Sequence, residues 1–166
     1  MKITCEINQS TYSWDSDAYF DLSLFIGSSE ASAYGIPPST KQVYKDGGFV
    51  GDVNQGGSCN VNEILFNPHG NGSHTECVGH ISKETVNIHD VYSSNLLKAL
   101  LVTIEPNGTI LPSQIPTELI DREQPDALII RTLPNDESKK TRNWLGSDPI
   151  YISPVAMEVL AATCVQ

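Results

Sequence analysis

Alternating positions and short apolar runs along the chain predict a fold made mostly of β-strands. Residues 2–7 and 11–14 alternate apolar and polar side chains around a turn at residues 8–10, which predicts an N-terminal β-hairpin. Two short antiparallel strands are expected around residues 49–53, which lie between two glycine-containing turn signals. The remaining predicted strands are residues 20–26, 61–66, 96–104 and 127–132. A buried strand is favoured for residues 96–104, with a short helix as the alternative, and residues 127–132 also predict a buried strand.

Helix signals are few and lie mainly near the end of the sequence. Ser153 suits the N-cap of a helix, and Pro154 suits its first position. The following residues 155–162 are apolar on most sides apart from Glu158, which predicts a largely buried helix. A short helical turn is expected at residues 116–123, and loops are expected at residues 27–40 and 134–149.

Three of the four histidines lie between residues 67 and 80, directly after the strand predicted at residues 61–66. If the backbone around residues 73–77 is extended, alternate side chains share a face, and His74 and Glu76 point the same way. An imidazole and a carboxylate on one face are ligands suited to Zn²⁺ or Mn²⁺. The sequence therefore predicts a divalent metal site at this point of the chain.

Four other side chains in or after this segment have open interpretations. His69 is a further candidate ligand, although its surroundings also make a good turn by themselves. Asn71 is either an amide ligand or an ordinary turn residue, and its flanking glycines favour the turn residue. Cys77 is either a nucleophile or a packed thiol, and the packed thiol is favoured because no base dedicated to it is evident. His89 has no motif around it.

Composition narrows the class of protein. The 166 residues carry a net charge of −10, which opposes binding to nucleic acid. No apolar run approaches the length that a membrane requires, so no membrane partner is expected. The four cysteines, at positions 5, 59, 77 and 164, form no Cys-x-x-Cys pair. They are therefore expected to be reduced thiols of a cytoplasmic protein.

The segment Gly72-Ser73-His74-Thr75-Glu76-Cys77-Val78-Gly79-His80 resembles the His-x-Gly-Thr-His-x-Asp-x-Pro-x-His signature of the cyclase family of metal-dependent hydrolases. That family includes kynurenine formamidase and isatin hydrolase. The histidine core, the acid two residues later and the histidine four beyond it keep their spacing. Glu replaces the usual Asp, and Gly70 stands where the first histidine ligand is expected, with His69 one place earlier.

The resemblance is close over residues 61–81 and loose over most of the chain. It implies an α/β fold of the swivelling β/β/α type, mostly β with few helices, as a single domain over residues 1–166. It also implies a divalent metal, Zn or Mn, held by His69, His74 and Glu76, with His80 as the acid/base histidine. The implied reaction is hydrolysis of an amide, formamide or lactam C–N bond in a small molecule.

Two further expectations follow from departures from the family pattern. The substituted first ligand position raises an alternative function, a catalytically silent family member that binds a ligand or a partner subunit. The family pattern also continues past the final helix into a strand and further metal-centre residues. The sequence is therefore expected to be incomplete at its C-terminus and to have an exposed strand edge. An exposed edge favours association, so a homo-oligomer is expected.

Overall fold

The computed structural model describes residues 1–7, 10–27, 31–92 and 96–163, and strands predominate within these ranges. The strands are β1 (Lys2–Ile7), β2 (Ser10–Asp15), β3 (Thr40–Val43), β4 (Lys45–Asp46), β5 (Phe49–Val50), β6 (Asn62–Leu65), β7 (Ala99–Ile104), β8 (Thr109–Ile110), β9 (Ala127–Thr132) and β10 (Tyr151–Ile152). The α-helices are α1 (Ile88–Val91), α2 (Thr117–Glu123) and α3 (Pro154–Thr163). Short 3-10 helices lie at Val53–Gln55, Val78–His80, Pro112–Gln114 and Glu137–Lys140. This content agrees with an α/β protein that is mostly β, while the swivelling arrangement stays a prediction.

The described strands pair two at a time, as β1 with β2, β3 with β6, β4 with β5, β7 with β9 and β8 with β10. The chain clusters into two compact units. The first unit comprises Met1–Asp21, Cys77–Asn135 and Asp148–Gln166, and the second comprises Leu22–Glu76 and Asp136–Ser147. Each unit is described by itself below, and the single domain over residues 1–166 stays a prediction.

The first unit begins with the predicted hairpin. β1 and β2 are antiparallel and pair from Lys2 opposite Asp15 to Ile7 opposite Ser10. Half-buried positions alternate with exposed ones along β1, as expected for a strand with one packed face. The hairpin prediction is confirmed, although residues 8–9 of its predicted turn lie outside the described residues.

The core of the first unit forms where the sheet of β7 and β9 packs against helices. The two strands are parallel, and α2 lies between them in sequence, as a crossover connection requires. The buried core cluster comprises Val102, Ile104, Ile110, Ile115, Ile120, Ala156 and Leu160. Both strand predictions are confirmed, although β7 begins only at Ala99. The opposite face of the sheet is not buried, since Leu101 on β7 and Ile129 on β9 are 57% and 37% exposed. The expectation that the strands at residues 96–104 and 127–132 are buried on both faces is therefore wrong.

Helix α3 has the predicted start but not the predicted burial. The side-chain oxygen of Ser153 accepts the backbone N–H of Ala156 at 3.2 Å, which is the geometry of an N-cap. Ala156 and Leu160 are buried, whereas Val155 and Met157 remain 57% and 49% exposed. The expectation of a largely buried helix is therefore wrong, because only one stripe of α3 meets the core. No helix in the described ranges combines the length and apolar character that crossing a membrane requires.

Replacing Ile120 by alanine is expected to lower the free energy of unfolding by about 2–5 kcal/mol, because its side chain is buried at 2% exposure. Denaturant titration followed by circular dichroism measures this loss. The matched control is Ile81→Ala in the same unit, since Ile81 is 83% exposed and its loss should change the free energy by at most about 0.5 kcal/mol. Equal effects of the two substitutions would contradict this description of the core.

The second unit contains the strand that leads into the histidine cluster. β6 pairs antiparallel with β3, from Leu65 opposite Thr40 to Asn62 opposite Val43. β4 and β5 form the expected pair of short strands, with positive φ at Gly47 and Gly48 in the turn between them. The predicted strand at residues 61–66 is confirmed as β6.

The 3-10 helix Val53–Gln55 lies between β5 and β6, and Asp52 caps its start. The Asp52 carboxylate accepts the backbone N–H of Asn54 at 2.8 Å, and this hydrogen bond lowers the pKa of Asp52 below its usual value. The bond also satisfies one of the unpaired donors at the start of Val53–Gln55. The strand predicted to extend to residue 53 therefore ends at Val50, and residues 51–53 lie outside it.

The strand predicted at residues 20–26 is wrong. These residues have no regular secondary structure, and Phe20 and Phe25 are 94% and 86% exposed. The backbone N–H of Leu24 donates to the side-chain oxygen of Ser73 at 3.0 Å, rather than to a neighbouring strand. Alternation of apolar and polar residues gives a strand only where another strand pairs with its backbone.

Candidate metal centre

The predicted metal ligands lie on the loop that follows β6 in the second unit. Residues 67–71 close into a turn, since the backbone N–H of Asn71 donates to the carbonyl oxygen of Asn67 at 2.9 Å. The side-chain oxygen of Asn67 also accepts the backbone N–H of His69 at 3.0 Å. The turn therefore fixes the backbone on both sides of His69.

The structure brings the side chains of His69, His74 and Glu76 together. Nδ1 of His69 lies 3.1 Å from Nε2 of His74 and 3.3 Å from Oε2 of Glu76. Nε2 of His74 lies 3.5 Å from the same carboxylate oxygen. The two imidazole rings meet edge to face, with their centroids 4.7 Å apart. Three donor atoms of the types that bind divalent transition metals thus form a small triangle.

The size of this triangle fits a divalent metal ion. Ligand atoms that lie about 2.0–2.1 Å from a tetrahedral ion are separated from one another by about 3.3–3.4 Å. The three measured separations, 3.1, 3.3 and 3.5 Å, lie around that value. Two imidazole nitrogens and a carboxylate oxygen are also the donor set found in catalytic zinc sites. The residues present could therefore hold a divalent ion.

The cluster is open to solvent. The side chains of His69, His74 and Glu76 are 39%, 27% and 51% exposed. Structural zinc sites are usually closed by four protein ligands, whereas catalytic sites have three and leave a position for water or substrate. The arrangement of three exposed ligands matches the catalytic type.

Gly70 lies where the family signature places its first histidine, one residue after the candidate ligand His69. Gly70 is buried, and a Cβ atom at this position would lie 2.6 Å from Cβ of Ile36. Real Cβ atoms do not come so close, so a histidine at position 70 would require the backbone to shift. The departure from the family signature thus has a steric cause in this chain, and His69 supplies the imidazole from one residue earlier.

The residues just before His74 are also held in place within the second unit. Ser73 accepts the backbone N–H of Leu24 through its side chain. Gly72 has φ of +141°, a backbone conformation that other residues rarely adopt, and a Cβ atom there would lie 3.1 Å from Ile26. Residues 73–77, for which an extended backbone was the condition of the prediction, do not belong to a strand. His74 and Glu76 nevertheless point to one place, as predicted.

His80 belongs to the first unit, where it ends the 3-10 helix Val78–His80. Its backbone N–H donates to the carbonyl oxygen of Cys77 at 3.0 Å. The Cys77 thiol donates to the carbonyl oxygen of Val86 at 3.4 Å, which agrees with a packed thiol. His89 lies on α1 with its side chain 77% exposed, 3.1 Å from Asp90. The roles predicted for His80 and Cys77 stay predictions.

Of the two interpretations of Asn71, the turn residue agrees with the structure. Its side chain is buried and hydrogen-bonded inside the turn. Its position between two glycines, which is typical of a turn residue, predicts this much. Its second partner, the carbonyl oxygen of Pro37, lies 34 residues earlier, where no local pattern predicts a contact.

Comparison with protein families agrees with the resemblance of residues 72–80 to the cyclase signature. Searches of curated proteins and of solved structures return no match. The model of the family described as "Putative cyclase" matches residues 1–166, the full length of the sequence. The chain therefore belongs to the cyclase family.

Proposed function

We propose that this protein is a metal-dependent hydrolase that cleaves an amide, formamide or lactam C–N bond in a small molecule. The observation that carries the proposal is the convergence of Nδ1 of His69, Nε2 of His74 and Oε2 of Glu76 within 3.1–3.5 Å of one another. Membership of the cyclase family supports a metal at this place. The donor types favour Zn²⁺ or Mn²⁺.

In the proposed reaction, water adds to the carbonyl carbon and the C–N bond breaks. A divalent ion held by the three ligands supplies Lewis-acid polarisation of the carbonyl and a lower pKa for water. His80 is proposed to accept the proton from the attacking water and to donate it to the leaving nitrogen. Imidazole suits this exchange because it gains and loses protons near neutral pH. The motif spacing, with His80 four residues after Glu76, supports this role.

The exposed edge of the ligand cluster supports a small-molecule substrate that reaches it from solvent. His69 and Glu76 together leave substantial side-chain surface uncovered. The net charge of −10 disfavours a strongly anionic substrate, because like charges repel on approach. Neutral aryl formamides and lactams are the compounds on which the similar enzymes of the family act. They are not anionic, so the charge of the protein does not oppose their approach.

The alternative is a catalytically silent family member that binds a ligand or a partner subunit. It is favoured by Gly70, which stands where the family signature has its first histidine. The geometry weakens this argument, because Nδ1 of His69 lies 3.1 Å from Nε2 of His74 and completes a three-ligand set. His69 could thus supply the imidazole that the motif places at position 70.

The test is hydrolysis by the purified chain in the presence of Zn²⁺ or Mn²⁺, with a panel of aryl formamides and lactams. We expect turnover of at least one compound, loss of turnover on chelation, and recovery when the metal is restored. His89→Ala is the matched control, since His89 is an exposed histidine outside the motif, and it should keep full activity. A chain that holds the metal but hydrolyses none of the compounds would favour the silent alternative.

A further inference from the structure

Asn71 is one of two buried polar residues in the part of the chain that the structure describes, with 3% of its surface exposed. Its Nδ2 donates to the carbonyl oxygen of Pro37 at 3.0 Å, and its Oδ1 accepts the backbone N–H of Asn67 at 2.7 Å. Both halves of the amide are therefore engaged, one as donor and one as acceptor. A buried polar group with both partners in place has one preferred orientation.

The bond to Pro37 joins the turn at residues 67–71 to a distant segment of the second unit, whereas the bond from Asn67 closes the turn itself. A backbone bond reinforces the connection, because the N–H of Ala33 donates to the carbonyl oxygen of Gly70 at 3.1 Å. Close packing of Gly70 against Ile36, which leaves no room for a side chain at position 70, also holds the turn against this segment. The turn is thus docked on residues 33–37 through three independent contacts, and His69 lies within that turn.

We propose that Asn71 is the positioning residue for the ligand His69. By fixing the turn on the Pro37 segment, its amide places Nδ1 of His69 at the distances from His74 and Glu76 that a metal ion requires. Asn71 itself touches no donor atom of the cluster in any hydrogen bond that the structure shows. The consequence for metal binding rests on the proposed function, whereas the placement of His69 does not.

The amide suits this position because it carries its donor and its acceptor on separate atoms, whereas a hydroxyl carries both on one oxygen. Aspartate at position 71 would still accept the N–H of Asn67, but it would place a carboxylate oxygen against the carbonyl oxygen of Pro37. Alanine would leave the Asn67 N–H and the Pro37 carbonyl without these partners at a partly buried place. Either change should release the turn and let the His69 ring move away from His74.

The first test is a double-mutant cycle on metal affinity, measured by titrating the metal-free chain with Zn²⁺. Asn71→Asp should weaken binding about 10–100-fold, the range seen when groups that orient metal ligands are removed. In a His69→Ala background the same substitution should have no further effect, because Asn71 affects metal binding only by placing the His69 side chain. Unchanged affinity, or the same loss in both backgrounds, would overturn the inference.

Asn60→Ala is the matched control, since the Asn60 side chain also clamps a loop of the second unit, by accepting the backbone N–H of Val53 at 3.1 Å. It should lower stability without changing the affinity for Zn²⁺. A loss of affinity equal to that of Asn71→Asp would show that any loosened loop has this effect.

The second test needs no metal and is a nuclear Overhauser contact between the ring protons of His69 and His74, whose ring centroids lie 4.7 Å apart. The metal-free parent chain should show this contact, and Asn71→Asp and Asn71→Ala should lose it. Retention of the contact in both variants would overturn the positioning role. If the parent chain shows the contact yet binds no Zn²⁺, the proposed function fails while the positioning role of Asn71 stands.

Discussion

Replacing His74 or Glu76 by alanine is expected to abolish metal retention while leaving the fold intact. Each residue supplies one of three donor atoms that lie 3.1–3.5 Å apart, so either change removes a direct ligand. The loss of affinity should exceed the roughly 10–100-fold that changes around the ligands cause. Both side chains are partly exposed, so the free energy of unfolding should change by only about 1 kcal/mol or less.

Elemental analysis after dialysis and calorimetric titration with Zn²⁺ measure this effect. His89→Ala is the control, because it removes an exposed histidine that lies outside the cluster. Glu76→Asp should be milder than Glu76→Ala, since it keeps a carboxylate with a reach shorter by one methylene. Metal retained by both alanine variants at the parent level would show that the ion binds elsewhere.

Replacing His80 by alanine is expected to keep the metal but to lower hydrolysis about 10²–10⁴-fold, the usual contribution of a positioned acid or base. His80 is not among the three residues of the candidate metal group, so its loss should leave metal binding unchanged. The measurements are metal content and kcat on the best substrate of the panel. Undiminished turnover would show that another group moves the proton.

The N-terminal hairpin was predictable because its information is local. β1 and β2 alternate regularly, and each strand finds its partner within a few residues of sequence. Residues 20–26 show the same kind of alternation but have no regular structure. The difference lies in the partner strand, which only the tertiary structure supplies. The over-prediction of burial in α3 has a similar cause, because apolar composition does not show how many surfaces pack against a helix.

The candidate site likewise has one part that local spacing predicts and another part that depends on distant contacts. His74 and Glu76 are two residues apart, so their convergence could be predicted from spacing alone. His69 lies five residues before His74, and its approach depends on the turn that Asn71 ties to Pro37. The steric reason for a glycine at position 70 also comes from a distant residue, Ile36. Contacts across more than thirty residues leave no periodic signal in a single sequence.

Anomalous X-ray diffraction from crystals grown with Zn²⁺ will show whether His69, His74 and Glu76 jointly bind one divalent ion. We expect one strong anomalous peak per chain, about 2.0–2.2 Å from Nδ1 of His69, Nε2 of His74 and a carboxylate oxygen of Glu76. A peak bound to other residues, or no peak at saturating Zn²⁺, would contradict it.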